Sequence, residues 1–283
     1  MKIGFIGAGR VGCTLGKYLK ERGKGFLLTG YHSRSRASAI AAADFTGSRV
    51  YGSSGELLAD CDAVFITTGD NAIATVWEEL CNCRVPLENR LVIHCSGALA
   101  SDIYADAELM GATRVSLHPL YAVSDRFESW RTIGTALFTI EGSGARFEEL
   151  YGLLAESGLT LQRLDADKKV KYHAAAAVAS NLMVGLSELA IGLLTDCGFD
   201  RTQARIALRP LMQGNLDAVM ETDTAEALTG PAERADAATV ERHLGALDGE
   251  DREIYRLLTK KLIHIAKKKH PQRDYAGMEN LLR

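Results

Sequence analysis

Two histidines of this sequence occupy positions where an imidazole can handle a proton. His118 directly follows an apolar run, Arg114–Leu117, that predicts a strand, and Pro119 restricts the backbone after it. His173 lies on a predicted helix that is otherwise rich in alanine. Imidazole acts as a general acid or base near neutral pH, or orients a carbonyl group. Both histidines are therefore candidate catalytic residues, although each position also suits a purely structural contact.

The helix that carries His173 has a polar ridge. Four residues recur at four-residue steps and so share one helical face: Lys169, His173, Ala177 and Asn181. Polar groups on an otherwise apolar helix cost free energy unless they are paired or used. We expect Asn181 to position a substrate together with Ser96, which follows another predicted strand. The alternative is that these groups form hydrogen bonds across a helix contact.

The segment Lys2–Gly12 has the order strand, glycine turn and helix, which suits a dinucleotide pyrophosphate. Gly7 permits the tight turn, Gly9 lets the backbone approach the phosphates, and Gly12 lets the helix pack close to the strand. The free N–H groups at the helix start then face the anion. The predicted phosphate-binding residues are Gly7, Ala8, Gly9, Arg10, Val11 and Gly12.

The end of the second predicted strand favours NADP over NAD. The stretch Gly30–Arg36 contains no Asp or Glu to bind a ribose 2′-hydroxyl. Ser33 can instead bind a 2′-phosphate, and Arg34 or Arg36 can form a charge-assisted pair with it. The alternative is a solvated basic start to the next helix. Further cofactor contacts are expected where a later strand ends, at Thr67, Thr68 and Gly69.

These residues need a scaffold of alternating elements. Predicted strands and helices alternate up to about residue 165, which is typical of a doubly wound, mostly parallel sheet. One of the helices is expected at Ser101–Met110. Beyond residue 165 only helical patterns follow, at about 166–195, 200–220, 239–247 and 250–269. The sequence therefore predicts an α/β Rossmann domain for cofactor binding (1–165) and an all-α C-terminal domain (166–283).

Composition narrows the class of protein further. Hydrophobic residues make up 47% of the 283 residues and the net charge is −3, so no attraction to nucleic acid or anionic membranes is expected. Six cysteines have no framework spacing and no secretory signal is evident, which predicts a cytoplasmic protein without a metal site. The apolar stretch Ala174–Leu194 is interrupted by Glu188 and other polar residues, so we expect a buried helix rather than a membrane span.

Several motifs together resemble a bacterial family of Rossmann-like proteins whose C-terminal half is a domain of unknown function. Besides the glycine turn, the motifs are Ser33-Arg34, His94-x-Ser96-Gly97-Ala98-Leu99, His118-Pro119-Leu120, Tyr172-His173, Ser180-Asn181 and Ala227-Leu-Thr-Gly-Pro231. Members are described as NADP-dependent oxidoreductases. The family is similar to pyrroline-5-carboxylate reductase, prephenate dehydrogenase and the 6-phosphogluconate and β-hydroxyacid dehydrogenases.

The resemblance implies that the helical domain mediates a homodimer and that its first helix lines the catalytic cleft. The β-hydroxyacid dehydrogenases carry a lysine and, four residues later, an asparagine on that helix. This chain has His173 and Asn181 instead, so their lysine mechanism is not carried over.

We therefore expect an NADP-dependent oxidoreductase that transfers a hydride between nicotinamide and a small carbonyl, imine or hydroxy substrate at the inter-domain cleft. His118 or His173 would manage the proton. Two alternatives stay open at this point, a dinucleotide-binding sensor without turnover and a deazaflavin-dependent reductase.

Overall fold

The computed structural model describes residues 1–283, which form two compact units, 1–180 and 181–283. The first unit is a sheet covered by helices, and the second contains only helices. This confirms the predicted fold class of an α/β domain followed by an all-α region. The expected domain boundary after residue 165 stays a prediction.

The first unit is built on one eight-stranded sheet with the order β3-β2-β1-β4-β5-β6-β7-β8. The strands are Lys2–Ile6 (β1), Leu27–His32 (β2), Arg49–Val50 (β3), Ala63–Ile66 (β4), Leu91–His94 (β5), Thr113–Pro119 (β6), Leu137–Ser143 (β7) and Thr160–Arg163 (β8). All neighbours pair in parallel except β6 and β7. The doubly wound, mostly parallel sheet is therefore confirmed.

Helices cover both faces of this sheet. They are Arg10–Arg22 (α1), Arg36–Thr46 (α2), Ser54–Ala59 (α3), Ile73–Asn82 (α4) and Phe147–Glu156 (α5). A further helix, Lys169–Ala179 (α6), follows β8. Successive side chains of a strand point to opposite faces, so each face buries its own apolar cluster. One contains Phe5 and Phe65, whose stacked rings are 4.9 Å apart, and the other contains Val64, Trp77 and Tyr104.

The carboxyl ends of six strands meet at one edge of the sheet. β1 to β6 run in the same direction, and the strand order reverses between β1 and β4. Ligands of open α/β sheets bind at this kind of reversal point. The residues that follow or end these strands are Gly7, Ser33, Thr67, Ser96 and His118.

Two helix predictions are wrong. The helix expected at Ser101–Met110 is a single 3-10 turn, Ser101–Ile103, followed by irregular turns that include a left-handed residue, Asp106 (φ 59°). The helix expected over 166–195 is broken at Ser180, where φ and ψ are −119° and −79°. It consists of α6 and a second helix that begins at Asn181.

The second unit contains seven helices. They are Asn181–Asp196 (α7), Arg201–Glu221 (α8), Thr224–Ala227 (α9), Pro231–Arg234 (α10), Ala237–Gly245 (α11), Gly249–Lys269 (α12) and Ala276–Leu281 (α13). Their apolar core includes Val240, Leu244, Ile263 and Met278. In contrast, no residue of α7 is buried, so the predicted burial of this segment is not found within the chain.

One stretch passes a length and composition test for a membrane span. Ala166–Asp196 has an apolar window with a mean hydropathy of 1.7, and none of that window is buried. The break at Ser180 divides the stretch into helices of 11 and 16 residues. A spanning helix needs about 20 residues, which neither of the two reaches.

Candidate functional site

A cleft of about 590 Å³ opens where the strand order reverses. It is lined by the glycine turn after β1, by the turn after β2 and by the turn after β4. Eight of the predicted cofactor residues line it: Gly7, Ala8, Gly9, Ser33, Arg34, Thr67, Thr68 and Gly69. The structure places the other three, Arg10, Val11 and Gly12, in the first turn of α1 and outside the lining.

Each of the three glycines in the turn is needed for a different physical reason. Gly7 has φ 104°, and a Cβ there would lie 2.7 Å from the backbone of Thr67. A Cβ on Gly12 would lie 2.4 Å from the carbonyl oxygen of Gly7, so this glycine allows α1 to pack against the turn. A Cβ on Gly9 would meet no protein atom within 4 Å. The space in front of Gly9 is therefore available to a ligand.

Other groups in the cleft suit a phosphorylated dinucleotide. The buried hydroxyl of Thr68 has no hydrogen-bond partner within the protein, and such an orphaned group needs one from elsewhere. Arg34 is exposed and forms no ion pair. Ser35 caps α2 by accepting a hydrogen bond from Ser38 N at 3.3 Å, which holds the turn of Ser33 and Arg34 against the helix start.

A buried lysine attaches α6 to the carboxyl edge of the sheet. Lys169 is 1% exposed and is the only buried residue of α6. Its ammonium donates to the carbonyl oxygen of Ser96 at 3.1 Å and to Ser116 Oγ, on β6, at 2.5 Å. Burial lowers the pKa of this lysine, while the negative charge of Glu141 opposes the shift. A polar contact therefore anchors the helix.

This anchor places two side chains of α6 against His118. The hydroxyl of Tyr172 is 2.8 Å from His118 Nδ1, and the ring of His173 lies edge-on to His118 with centroids 5.9 Å apart. A Cβ on Gly97 would lie 2.4 Å from His173 Nδ1 and 2.8 Å from His118 Nε2. The two predicted catalytic histidines therefore converge on one glycine.

The imidazole rings of His118 and His173 differ in the hydrogen bonds that their nitrogens form. His118 is kept neutral, because burial, assisted by the positive charge of Lys169, lowers its pKa to about 4. Its Nδ1 is occupied by Tyr172, which leaves Nε2 on the side of Gly97. His173 Nδ1 is buried and has no hydrogen-bond partner. An unpaired ring nitrogen of this kind can exchange a proton or a hydrogen bond with a bound molecule.

The hydroxyl of Ser96 forms its hydrogen bonds within its own loop and with Asp70. Its hydroxyl donates to Asp70 Oδ2 at 2.8 Å and accepts hydrogen bonds from the N–H groups of Ala98 and Leu99 at 3.2 and 3.1 Å. Asp70 directly follows Gly69, so this bond joins the loop after β5 to the cofactor cleft. The structure thus gives Ser96 a role in shaping the loop, and a contact with substrate stays a prediction.

Asn181, the fourth predicted catalytic residue, is the first residue of α7 and lies in the second compact unit. The four-residue step from Ala177 to Asn181 crosses the helix break at Ser180, so the predicted ridge is not continuous. The role of Asn181 also stays a prediction.

Sequence reasoning passed over three residues of this cluster. Lys169 was recognised only as part of the polar ridge, although its four-residue spacing from His173 carried the relevant pattern. Tyr172 lies beside His173 and was not assigned a role. Ser116 alternates with His118 along β6, and this period of two places both side chains on the same face of the strand.

Family comparisons match both parts of the chain. The Rossmann-like domain matches residues 1–119, and the domain of unknown function DUF2520 matches residues 136–262. A Rossmann-like model and a DUF2520 model therefore match successive parts of this chain. This is the combination that the motifs of the sequence resemble. The DUF2520 match begins before β7 and so includes α6 with its buried lysine.

Solved structures with the same fold are found along nearly the whole chain. Protein TM1727 from Thermotoga maritima has a TM-score of 0.74 at 25% identity, covering 94% of this chain and 99% of that one. A pyrroline carboxylate reductase from Plasmodium falciparum, with NADP bound, has a TM-score of 0.59 at 14% identity, covering 94% and 98%. An imine reductase from Myxococcus stipitatus, in complex with NADP+, has a TM-score of 0.61 at 18% identity, covering 100% of each chain. No curated protein matches the chain.

Proposed function

We propose that this protein is an NADP-dependent oxidoreductase acting on a small carbonyl, imine or hydroxy compound. The observation that carries the proposal is the adjacency of two features in one unit. A cleft with an open Gly9 and an unpaired Arg34 lies next to a cluster in which His118 and His173 converge on Gly97. The shared fold with a reductase that has NADP bound and with an imine reductase in complex with NADP+ supports the same class of reaction.

The cleft residues would hold the cofactor by its phosphates. The first-turn N–H groups of α1 suit the pyrophosphate, and Gly9 allows its close approach. Ser33 and Arg34 would bind the 2′-phosphate by charge-assisted hydrogen bonds. When bound, NADP supplies or accepts the hydride, and the protein provides position and electrostatics.

The two histidines would have separate roles, one in binding the substrate and one in transferring a proton. His118 stays neutral at physiological pH because its pKa is lowered to about 4. If Tyr172 donates to Nδ1, His118 carries its proton on Nε2 and can donate a hydrogen bond to a substrate oxygen or nitrogen. His173, with its unpaired Nδ1, is the group that we assign to the proton transfer. Asn181 would hold the substrate.

The protein is also proposed to be a cytoplasmic homodimer. α7 exposes large apolar side chains, with Leu182 61% and Val184 69% exposed. Burying such side chains against a second copy would gain roughly 1.5–3 kcal/mol each. Light scattering coupled to gel filtration should give twice the mass of one chain, and Val184→Glu should shift it to one chain. A monomeric wild-type protein would contradict this part of the proposal.

A turnover screen tests the catalytic part. NADPH consumption is followed with a panel of small ketones, aldehydes, keto acids and cyclic imines. For a substrate found in this way, His173→Gln should lower kcat by about 10²–10⁴ while leaving NADPH affinity unchanged. His264→Gln, on an exposed position of α12, is the matched control. Equal turnover by wild type and His173→Gln would remove His173 from the mechanism.

A further inference from the structure

An arginine without an anionic partner lies in the segment between β6 and β7. Arg126 is half-buried, and its guanidinium lies 5.0 Å from the ring of Phe127. That ring in turn packs edge-on against Phe45 of α2 at 4.9 Å. Arg131, in the same segment, pairs with Glu128 at 2.8 Å, whereas Arg126 forms no ion pair. A half-buried cation without a counter-ion is costly unless a nearby anion compensates it.

Arg126 joins the first turns of two helices. Its Nε donates to the sulfur of Cys13 at 3.1 Å, and its Nη2 donates to the carbonyl oxygen of Ser38 at 2.7 Å. Cys13 directly follows Gly12 in α1, and its thiol donates to the carbonyl oxygen of Ala8 at 3.4 Å. One guanidinium therefore ties the glycine turn to the start of α2.

The two turns that Arg126 joins would each bind a different phosphate group of the same dinucleotide. The glycine turn faces the pyrophosphate, and Ser38 lines the cleft beside Ser33 and Arg34, where a 2′-phosphate would lie. A ligand with both phosphates binds well only if the two turns are held at the matching distance before it arrives. The unpaired charge of Arg126 also makes the local potential more positive for the second anion.

We propose that Arg126 is a positioning residue that selects 2′-phosphorylated dinucleotides. It acts by fixing the spacing between the first turns of α1 and α2 and by adding positive charge next to the second. It touches neither the substrate nor the reacting atoms. The inference rests on the proposed function, because it explains how the cofactor of that function is chosen.

Calorimetric titrations of the full chain with NADPH and NADH test this role. In Arg126→Met, NADPH should bind at least about tenfold more weakly and NADH less than about threefold more weakly, because only NADPH uses both turns. Arg131→Met removes a cation from the same segment and should leave both affinities unchanged. Equal weakening of NADPH and NADH binding, or none, would overturn the proposal.

A conservative variant separates this role from general misfolding. Arg126→Lys keeps the charge, but a single ammonium nitrogen does not reproduce the spacing between Nε and Nη2 of the planar guanidinium, which donate to the two different turns. Its preference for NADPH over NADH should fall by about threefold at an unchanged melting temperature. An unchanged preference in this folded variant would contradict the inference. Failure of the wild type to bind either nucleotide would instead contradict the proposed function.

Discussion

The substitution Lys169→Met tests whether the buried ammonium of Lys169 positions Tyr172 and His173 against His118. Methionine has a similar length and no charge, so the shape of the site is largely kept while two hydrogen bonds, to Ser96 and Ser116, are lost. Lys169 is the only buried residue of α6, which carries Tyr172 and His173. The substitution therefore removes the contact that holds these side chains against His118.

The expected effects follow from the contacts of the ammonium. Two buried acceptors lose their donor, which costs about 1–3 kcal/mol each, and the relief of burying a charge offsets part of this. A net loss of about 1–4 kcal/mol in the unfolding free energy is expected. The pKa of His118 should rise from about 4 because a neighbouring positive charge is gone. It should stay below 6.5, because burial is the larger cause of the shift.

Two measurements read these effects separately. NMR titration of the imidazole resonances gives the pKa of His118, with His118→Gln to assign its signal. Urea unfolding followed by tryptophan fluorescence reports on the first unit alone, because Trp77 and Trp130 both belong to it.

The adjacent lysine provides the control for this substitution. Lys168 is exposed and pairs only with Asp165. Lys168→Met should therefore change neither the pKa of His118 nor the unfolding free energy. If Lys169→Met leaves the His118 pKa where it is, or lowers it, the electrostatic part of the reasoning is refuted.

Three further predictions concern the histidine and the glycines. Between pH 6.5 and about 4 the unfolded chain binds a proton on His118 that the folded chain does not, so His118 should contribute a fall of about 1.4 kcal/mol per pH unit in the unfolding free energy on acidification. His118→Gln should reduce the slope in urea titrations by this amount but not abolish it, because burial also lowers the pKa of His94 to about 4; exposed His264→Gln should leave the slope unchanged. Gly97→Ala should reduce turnover but not NADPH binding, because the new methyl would lie 2.4 Å from an imidazole nitrogen; unchanged turnover would contradict the site. Gly9→Ala should weaken NADPH binding at unchanged melting temperature, whereas Gly12→Ala, with its Cβ 2.4 Å from a backbone oxygen, should lower the melting temperature; equal behaviour of the two would refute their separate roles.

The sequence pattern predicts those parts of the site whose backbone conformation depends on residues adjacent in sequence. The glycine turn, the end of β2 and the end of β4 are each set by residues adjacent in sequence, and their lining residues follow directly. His118 lies near the carboxyl end of β6, where the apolar strand pattern and the following proline predict it.

Contacts between distant residues account for what the pattern did not predict. Ser101 donates from its N–H and its hydroxyl to Glu141, at 2.7 and 2.8 Å, and this tertiary contact replaces the expected helix by a turn. A lysine is normally solvated, so the burial of Lys169 follows only from the meeting of α6 with the loop after β5. The alanine-rich stretch before Ser180 favours a helix, and the local signal of its break is limited to Ser180 and Asn181, residue types that are common at helix starts.

The central claim is that the cleft binds NADP through the turn after β2. Fluorescence titration of the wild type with NADPH and NADH, repeated on Arg34→Ala and on its exposed neighbour Arg36→Ala, tests it most directly. The wild type should bind NADPH at least about tenfold more tightly than NADH, and Arg34→Ala should lose this difference while Arg36→Ala keeps most of it. Equal affinity of the wild type for the two nucleotides, or a difference that survives Arg34→Ala, would contradict it.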